Sequence, residues 1–207
     1  MTHIALLGDS VIDNKAYVGN GPDVLAQLQS IIPDNWQATK CAVDGAAVSD
    51  INQQLQSLPS DASHIVISVG GNDALRETGV LDAPARSVSD ALLKLAAIRD
   101  RFEEEYRRML DSVTTRQLPI VVCTIYDPRF PDAERRKIGA LGLSIINDRI
   151  TREAFSRGLD LLDLRVMFDH DADFANAIEP SVQGGMKLAQ AILRFAAGPH
   201  GQTRVIR

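Results

Sequence analysis

The stretch His3-Ile4-Ala5-Leu6-Leu7-Gly8-Asp9-Ser10 decides how the rest of this chain is read. Ile4 to Leu7 form an unbroken apolar run, the pattern of a short strand buried on both faces, as in a parallel sheet. The run stops at Gly8-Asp9-Ser10, a turn sequence. A serine there stands just past the carboxyl end of a strand, where open α/β sheets collect their ligands. Taken alone, the tripeptide also reads as an ordinary strand exit with a helix cap, because motifs this short recur by chance.

Working outward, the same unit recurs. Gly21-Pro22-Asp23 is expected to start a helix, with Pro in the first turn and Val24, Leu25, Leu28, Ile31 and Ile32 on its apolar face. Gln37 to Val43 reads as a weaker strand that leaves through Asp44-Gly45-Ala46-Ala47, and Ser49 is placed to cap a short helix with Ile51, Leu55 and Leu58 inside. His64 to Val69 is the clearest strand, closed by Gly70-Gly71-Asn72-Asp73. A long helix follows from Val88 to Thr114, with Leu92, Leu95, Ile98, Phe102, Tyr106, Met109 and Val113 on its inner stripe. Leu118 to Thr124 and Leu159 to Leu164 are further strands, separated by a helix over Ile138 to Phe155. The last helix begins at Pro180-Ser181, and the tail from His200 to Arg207 reads as loosely held.

Strands alternating with helices mean right-handed βαβ units. The expected fold is a single α/β domain over residues 1–207, a three-layer α/β/α sandwich on a five-stranded parallel sheet of flavodoxin-like order 2-1-3-4-5. That order brings Ser10, Gly45 and Asn72 to one rim.

Bulk properties narrow the function classes. The chain has 207 residues, 45% of them hydrophobic and 24% charged, ordinary for a globular domain. Its net charge of -5 leaves no basic footprint for nucleic acid. No apolar run approaches the ~20 residues of a membrane span, and a first strand starting at residue 3 or 4 leaves no room for a signal peptide, so a cytoplasmic location is expected. Cys41 and Cys123 lie in apolar runs and read as small hydrophobes, without a disulfide or metal. No cofactor is implied.

The three strand exits carry a resemblance. Over nearly its whole length the chain resembles the SGNH (GDSL-type) hydrolases: Gly8-Asp9-Ser10-Val11 matches their first block, Asp44-Gly45-Ala46 the second and Gly71-Asn72-Asp73 the third. The resemblance implies a Ser10 nucleophile, and an oxyanion hole formed by the Ser10 amide, the Gly45 amide and the Asn72 side chain. It implies hydrolysis or transfer of esters; because no stretch reads as a wide lipid-binding lid, small soluble esters are the expected substrates rather than bilayer lipids. Asp9, Asp13 and Asp73 are candidate substrate contacts near the pocket, alongside structural readings of each: Asp9 as a turn-holder, Asp13 with Asn14 as loop residues, Asp73 as a cap.

The fourth block departs from the family pattern Asp-x-x-His-Pro. Here it reads Asn176-Ala177-Ile178-Glu179-Pro180-Ser181, so Glu179 stands in the place of the histidine and Asn176 in that of the aspartate. Three accounts stand side by side. Glu179 is the base, its pKa raised by desolvation and by a like charge from Asp13 or Asp73. Alternatively His170, flanked by Asp169 and Asp171, reaches in to serve. In the third, hydrolysis is lost and the pocket binds ligand. Tyr126 and Arg129, after the fourth strand, are positioned to touch substrate. The acids of Asp169 to Asp173 fit no metal-loop signature and read as a solvated loop. His3 and His64 read as structural. Carboxylate chemistry on a glycoside or phosphoester, using Asp13 and Glu179, is a remote further alternative.

Overall fold

The computed structural model describes residues 1–200 and 203–206. Its strands are β1 (His3–Gly8), β2 (Gln37–Lys40), β3 (His64–Ser68), β4 (Ile120–Cys123), β5 (Asp160–Leu162) and β6 (Val205–Ile206). Its helices are α1 (Val24–Ile31), α2 (Ile51–Gln54), α3 (Gly71–Arg76), α4 (Val88–Thr114), α5 (Ala133–Ser156), α6 (Leu164–Met167) and α7 (Val182–Ala197). All neighbouring strands are parallel, in the order β2-β1-β3-β4-β5-β6.

Alternation along the strands builds two cores. Ile4, Leu6, Val66, Val121 and Leu162 face α1 and α7, packing on Val24, Leu28, Leu188, Ile192 and Phe195. Ala5, Leu7, Ile65, Ile67, Ile120 and Val122 face the other way, onto Ile51, Tyr106, Met109, Val113, Ile146 and Ile150 of α2, α4 and α5. Strands β1, β3, β4 and β5 are therefore apolar on both sides, as sandwiched parallel strands must be.

Four expectations need correction. The sheet has a sixth strand, not five strands: Val205 and Ile206 pair with Leu161 and Leu162, so this part of the tail is held. Arg204 fastens it through Asp160, at 2.5 Å for Nη2 to Oδ2. Two residues carry no periodicity, which is why the strand escapes a pattern reading; residues 201, 202 and 207 of that tail lie outside the described residues. Pro22 is not in the first turn of α1, because Asp23 is the N-cap, accepting from the Ala26 amide at 2.8 Å. Ser49 caps nothing; the short 3-10 turn before α2 starts after Ala47, whose amide donates to the Asp50 carboxylate at 2.8 Å. Finally, the inner stripe of α4 is buried only from Phe102 onward. Leu92 is 58% exposed, and Leu95 and Ile98 are half-covered. Cys123 is buried and Cys41 half-buried, both free.

At Gly8 the fold meets the turn that carries Ser10. Its φ is 138°, and a Cβ there would stand 1.9 Å from the Ser68 carbonyl oxygen of β3. The Asp9 amide donates to that same oxygen at 3.0 Å, closing the exit of β1 onto β3. Gly8→Ala combines a forbidden backbone with a clash against backbone, so it should cost more than about 3 kcal/mol. Urea unfolding checks this; a loss below about 1 kcal/mol would show that the strand ends can separate.

Candidate active site

Ser10 follows β1 directly and is buried. It lines a cleft of about 680 Å³ together with Asp9, Asn72 and Glu179. Gly45 and Asp13 stand beside this cleft rather than in its wall, and so does Asp73.

The second-block loop is bound down at several points. The Val43 amide donates to the Gly8 carbonyl at 3.0 Å. The Asn72 side-chain amide donates to the Ala46 carbonyl at 2.9 Å, and the Asp73 carboxylate accepts the Val48 amide at 3.1 Å. Asp13 accepts the Asp44 amide at 3.1 Å and also the Lys40 ammonium, while the Tyr17 hydroxyl donates to Asp44 at 2.8 Å. Gly45, at φ 80°, turns the chain in the left-handed region within this frame. Asp13 and Asp73 thus hold the loop that presents Gly45. Asn72 keeps a second amide hydrogen, since an NH₂ group has two and only one goes to Ala46.

Glu179 arrives on the loop before α7, and that loop is held by its own hydrogen bonds. The Asn176 Oδ1 accepts the Ile178 and Glu179 amides at 2.9 and 3.0 Å. The Ala175 amide donates to the Glu179 carbonyl at 2.8 Å, and the Arg129 amide to the Ala177 carbonyl at 2.7 Å. The Tyr126 hydroxyl donates to the Ile178 carbonyl at 2.5 Å, and Asn14 Nδ2 to the Pro180 carbonyl at 3.3 Å. Ser181 ends the loop as the N-cap of α7, accepting from the amides of Gln183 and Gly184. Tyr126 also stacks on Phe168 with ring centroids 4.8 Å apart. Asn14, the loop residue beside Asp13, is fully buried, with Oδ1 accepting the Val24 amide at 3.0 Å. Arg129 is taken up by Asp171 at 3.2 Å and by the Phe174 ring. Both Arg129 and Asn14 therefore work as loop anchors.

The electrostatics of the pocket follow from burial. Glu179 is buried, with Oε2 lacking any hydrogen-bond partner. Desolvation raises its pKa to about 7; contact with the Ser10 hydroxyl favours the charged form and the Asp44 carboxylate opposes it. The like charge comes from Asp44, correcting the expectation of Asp13 or Asp73. Asp9 is pushed up to about 8, chiefly by burial, against the Val11 amide that donates to it at 3.1 Å. Two carboxyl groups near neutrality beside one hydroxyl make a site able to move protons at physiological pH.

His170 lies elsewhere. Its ring is 71% exposed and sits 3.7 Å from the Asp169 carboxylate, away from the cleft wall. The acidic loop around it is not simply solvated, since Asp173 is fully buried and bound by Lys187 at 2.8 Å. His3 holds three segments at the amino end of the sheet: Nδ1 meets Asp61 at 2.9 Å and Nε2 meets Thr39 at 2.8 Å. Among the described residues no cluster of His, Cys, Asp or Glu could hold a metal, and no helix is long and apolar enough to cross a membrane. Sequence reading missed the cleft wall formed by Leu95, Ile98 and Leu143; the signal was present as apolar periodicity and was taken for core.

The model of the GDSL-like lipase/acylhydrolase family matches residues 6–184. Among solved structures, the chain is similar to a lipase from a goat rumen metagenome, at 17% identity and a TM-score of 0.69 over 95% of this chain and 98% of that one. It is similar to an extracellular lipase from Streptomyces rimosus, at 18% identity and 0.66 over 94% and 98%. An acetyl xylan esterase from Geobacillus stearothermophilus gives 19% and 0.62 over 95% and 94%. At these identities the likeness is one of fold. No curated protein sequence matches the chain.

Burial of Asp9 and Glu179 has a consequence for stability. Both pKa values lie above those of the unfolded chain, so the folded state retains protons that the unfolded state releases. Their contribution is complete below about pH 4 and is lost as pH rises through about 7 to 8. Asp9→Asn should therefore flatten the fall of Tm between pH 5 and pH 8, seen by calorimetry. An unchanged slope would mean that Asp9 is ionised in the folded protein.

Proposed function

Since the chain belongs to the GDSL-like lipase/acylhydrolase family, we propose that it cleaves esters through a covalent Ser10 acyl-enzyme, with Glu179 as proton acceptor. The observation that carries this reading is the contact of a buried, near-neutral Glu179 with Ser10 in one cleft that also holds Asn72. Ser10 Oγ attacks the ester carbonyl carbon while its proton passes to Glu179. The oxyanion that forms accepts from the Ser10 and Gly45 amides and from the free hydrogen of Asn72 Nδ2. As the carbon–oxygen bond to the alcohol breaks, Glu179 returns the proton to the departing oxygen. Water then attacks the acyl carbon, gives its proton to Glu179, and Ser10 leaves and is reprotonated as the carboxylic acid is released. Asp9, Asp13 and Asp73 act in this reading as supports: Asp9 beneath the nucleophile turn, the other two on the Gly45 loop.

A carboxylate is an effective base only when its pKa approaches the working pH, and burial supplies that condition for Glu179. Activity on p-nitrophenyl acetate should rise with pH through about 7 as Glu179 ionises. Glu179→Gln should lower kcat by about 10² to 10⁴, whereas the exposed His170→Ala should leave it intact. A pH profile without this limb, or the reverse pattern in the two variants, would remove Glu179 from the role.

Asn72→Ala should lower kcat by about 10² with little change in KM, as for a group that acts in the transition state. A fluorophosphonate probe should label the wild type and fail on Ser10→Ala. Absence of labelling from pH 5 to pH 10 would favour a protein that binds ligand without cleaving it.

A further inference from the structure

Resting on the ester-hydrolase reading, we infer that the acyl group is a medium-length unbranched aliphatic chain, held in the cleft that leads away from Ser10 between α3, the first turns of α4, and α5. Six aliphatic side chains line it, Leu75, Leu81, Leu95, Ile98, Leu143 and Ile146, beside the Tyr126 and Phe130 rings and the charged Glu77, Asp82, Asp132, Glu134 and Arg135. The cleft's volume of about 680 Å³ lies in the range of pockets that enclose a whole ligand, well beyond an acetyl group.

Two features indicate that this space is kept open. The apolar stripe of α4 extends through Leu95 and Ile98, which line the cleft ahead of Phe102, the first buried residue of the helix. Ile98 packs in part on the core, and both side chains remain only partly buried on the cleft wall, leaving apolar surface that a ligand can cover. The second feature is Gly142, in the interior of the 24-residue helix α5 and on the cleft wall. Glycine is unfavourable in a helix interior, and a Cβ at 142 would meet nothing within 4 Å. No packing demand explains a glycine there. Its neighbour on the same wall, Gly139, differs: a Cβ there would come within 2.9 Å of the Pro128 ring. Gly142 thus leaves room in the cleft that Leu95 and Ile98 also line, and the aliphatic side chains on its walls favour an aliphatic chain there.

The test is a series of p-nitrophenyl esters, from acetate through butyrate and octanoate to laurate, with benzoate alongside. Each methylene buried is worth up to about fourfold in kcat/KM, so octanoate should exceed acetate by about 100-fold or more, and benzoate should fall well below octanoate. Gly142→Phe should cut the octanoate-to-acetate ratio of kcat/KM at least tenfold. A second measurement needs no catalysis: Ser10→Ala should bind 11-(dansylamino)undecanoic acid with a rise in fluorescence, reversed by decanoate and not by acetate. Ser10-dependent cleavage with a flat or falling chain-length profile, or with benzoate preferred, overturns the aliphatic pocket and leaves the hydrolase reading standing. Binding of the dansyl acid by a protein that cleaves no ester supports the pocket and overturns the hydrolase reading. Failure of both overturns both.

Discussion

The carboxyl ends of β1 and β3 run side by side because residue 8 has no side chain. A Cβ at Gly8 would overlap the Ser68 carbonyl, and the same carbonyl accepts the Asp9 amide. This contact sets where the chain turns, and the turn delivers Ser10. The exit of β3 then supplies Asn72 four residues beyond Ser68, and Asn72 reaches across to the loop after β2. Three consecutive strand ends are thereby coupled through one backbone approach, and Ser10 inherits the rigidity of the sheet. Catalytic groups placed on such ends are held more closely than groups on free loops.

Glu179 comes from the far side, on a loop with no strand beneath it, and its position is secured differently. Asn176 organises the local turn, and Tyr126, Asn14 and Arg129 each bond a carbonyl of the loop. An aspartate at 176 could orient an imidazole; the asparagine folds the backbone that carries a carboxylate. The exchange at 179 and the exchange at 176 are consistent with each other in this light. What a carboxylate lacks as a base is proton affinity, and the low-dielectric surroundings restore it, with Asp44 adding to the effect.

Much of this was legible in residue pattern. The strand exits, the helix periods and the displaced fourth block could all be read from local spacing, because parallel strands and amphipathic helices write their burial into sequence. What could not be read were contacts between distant residues. Asp44 as the neighbour of Glu179, Asn14 as a buried anchor, and Lys187 beneath Asp173 depend on how loops meet. The stripe on α4 shows a subtler limit. Periodicity identified Leu92, Leu95 and Ile98 as one face of a helix, yet it says nothing about whether protein or ligand covers that face. Strand β6 was too short to have a pattern at all.

His3 bears on a different problem, the alignment of strands. Parallel strands have no hairpin to fix their offset, and a slip of one residue would turn every inward side chain outward. One imbibed ring at the start of β1 bonds Thr39 in β2 through one nitrogen and Asp61, just ahead of β3, through the other. The His3 amide adds Ser63 at 2.8 Å. A shifted β2 would forfeit the Thr39 bond and a shifted β3 those to Asp61 and Ser63, so a single residue acts as a register pin for the three strands whose opposite ends carry Ser10, Gly45 and Asn72.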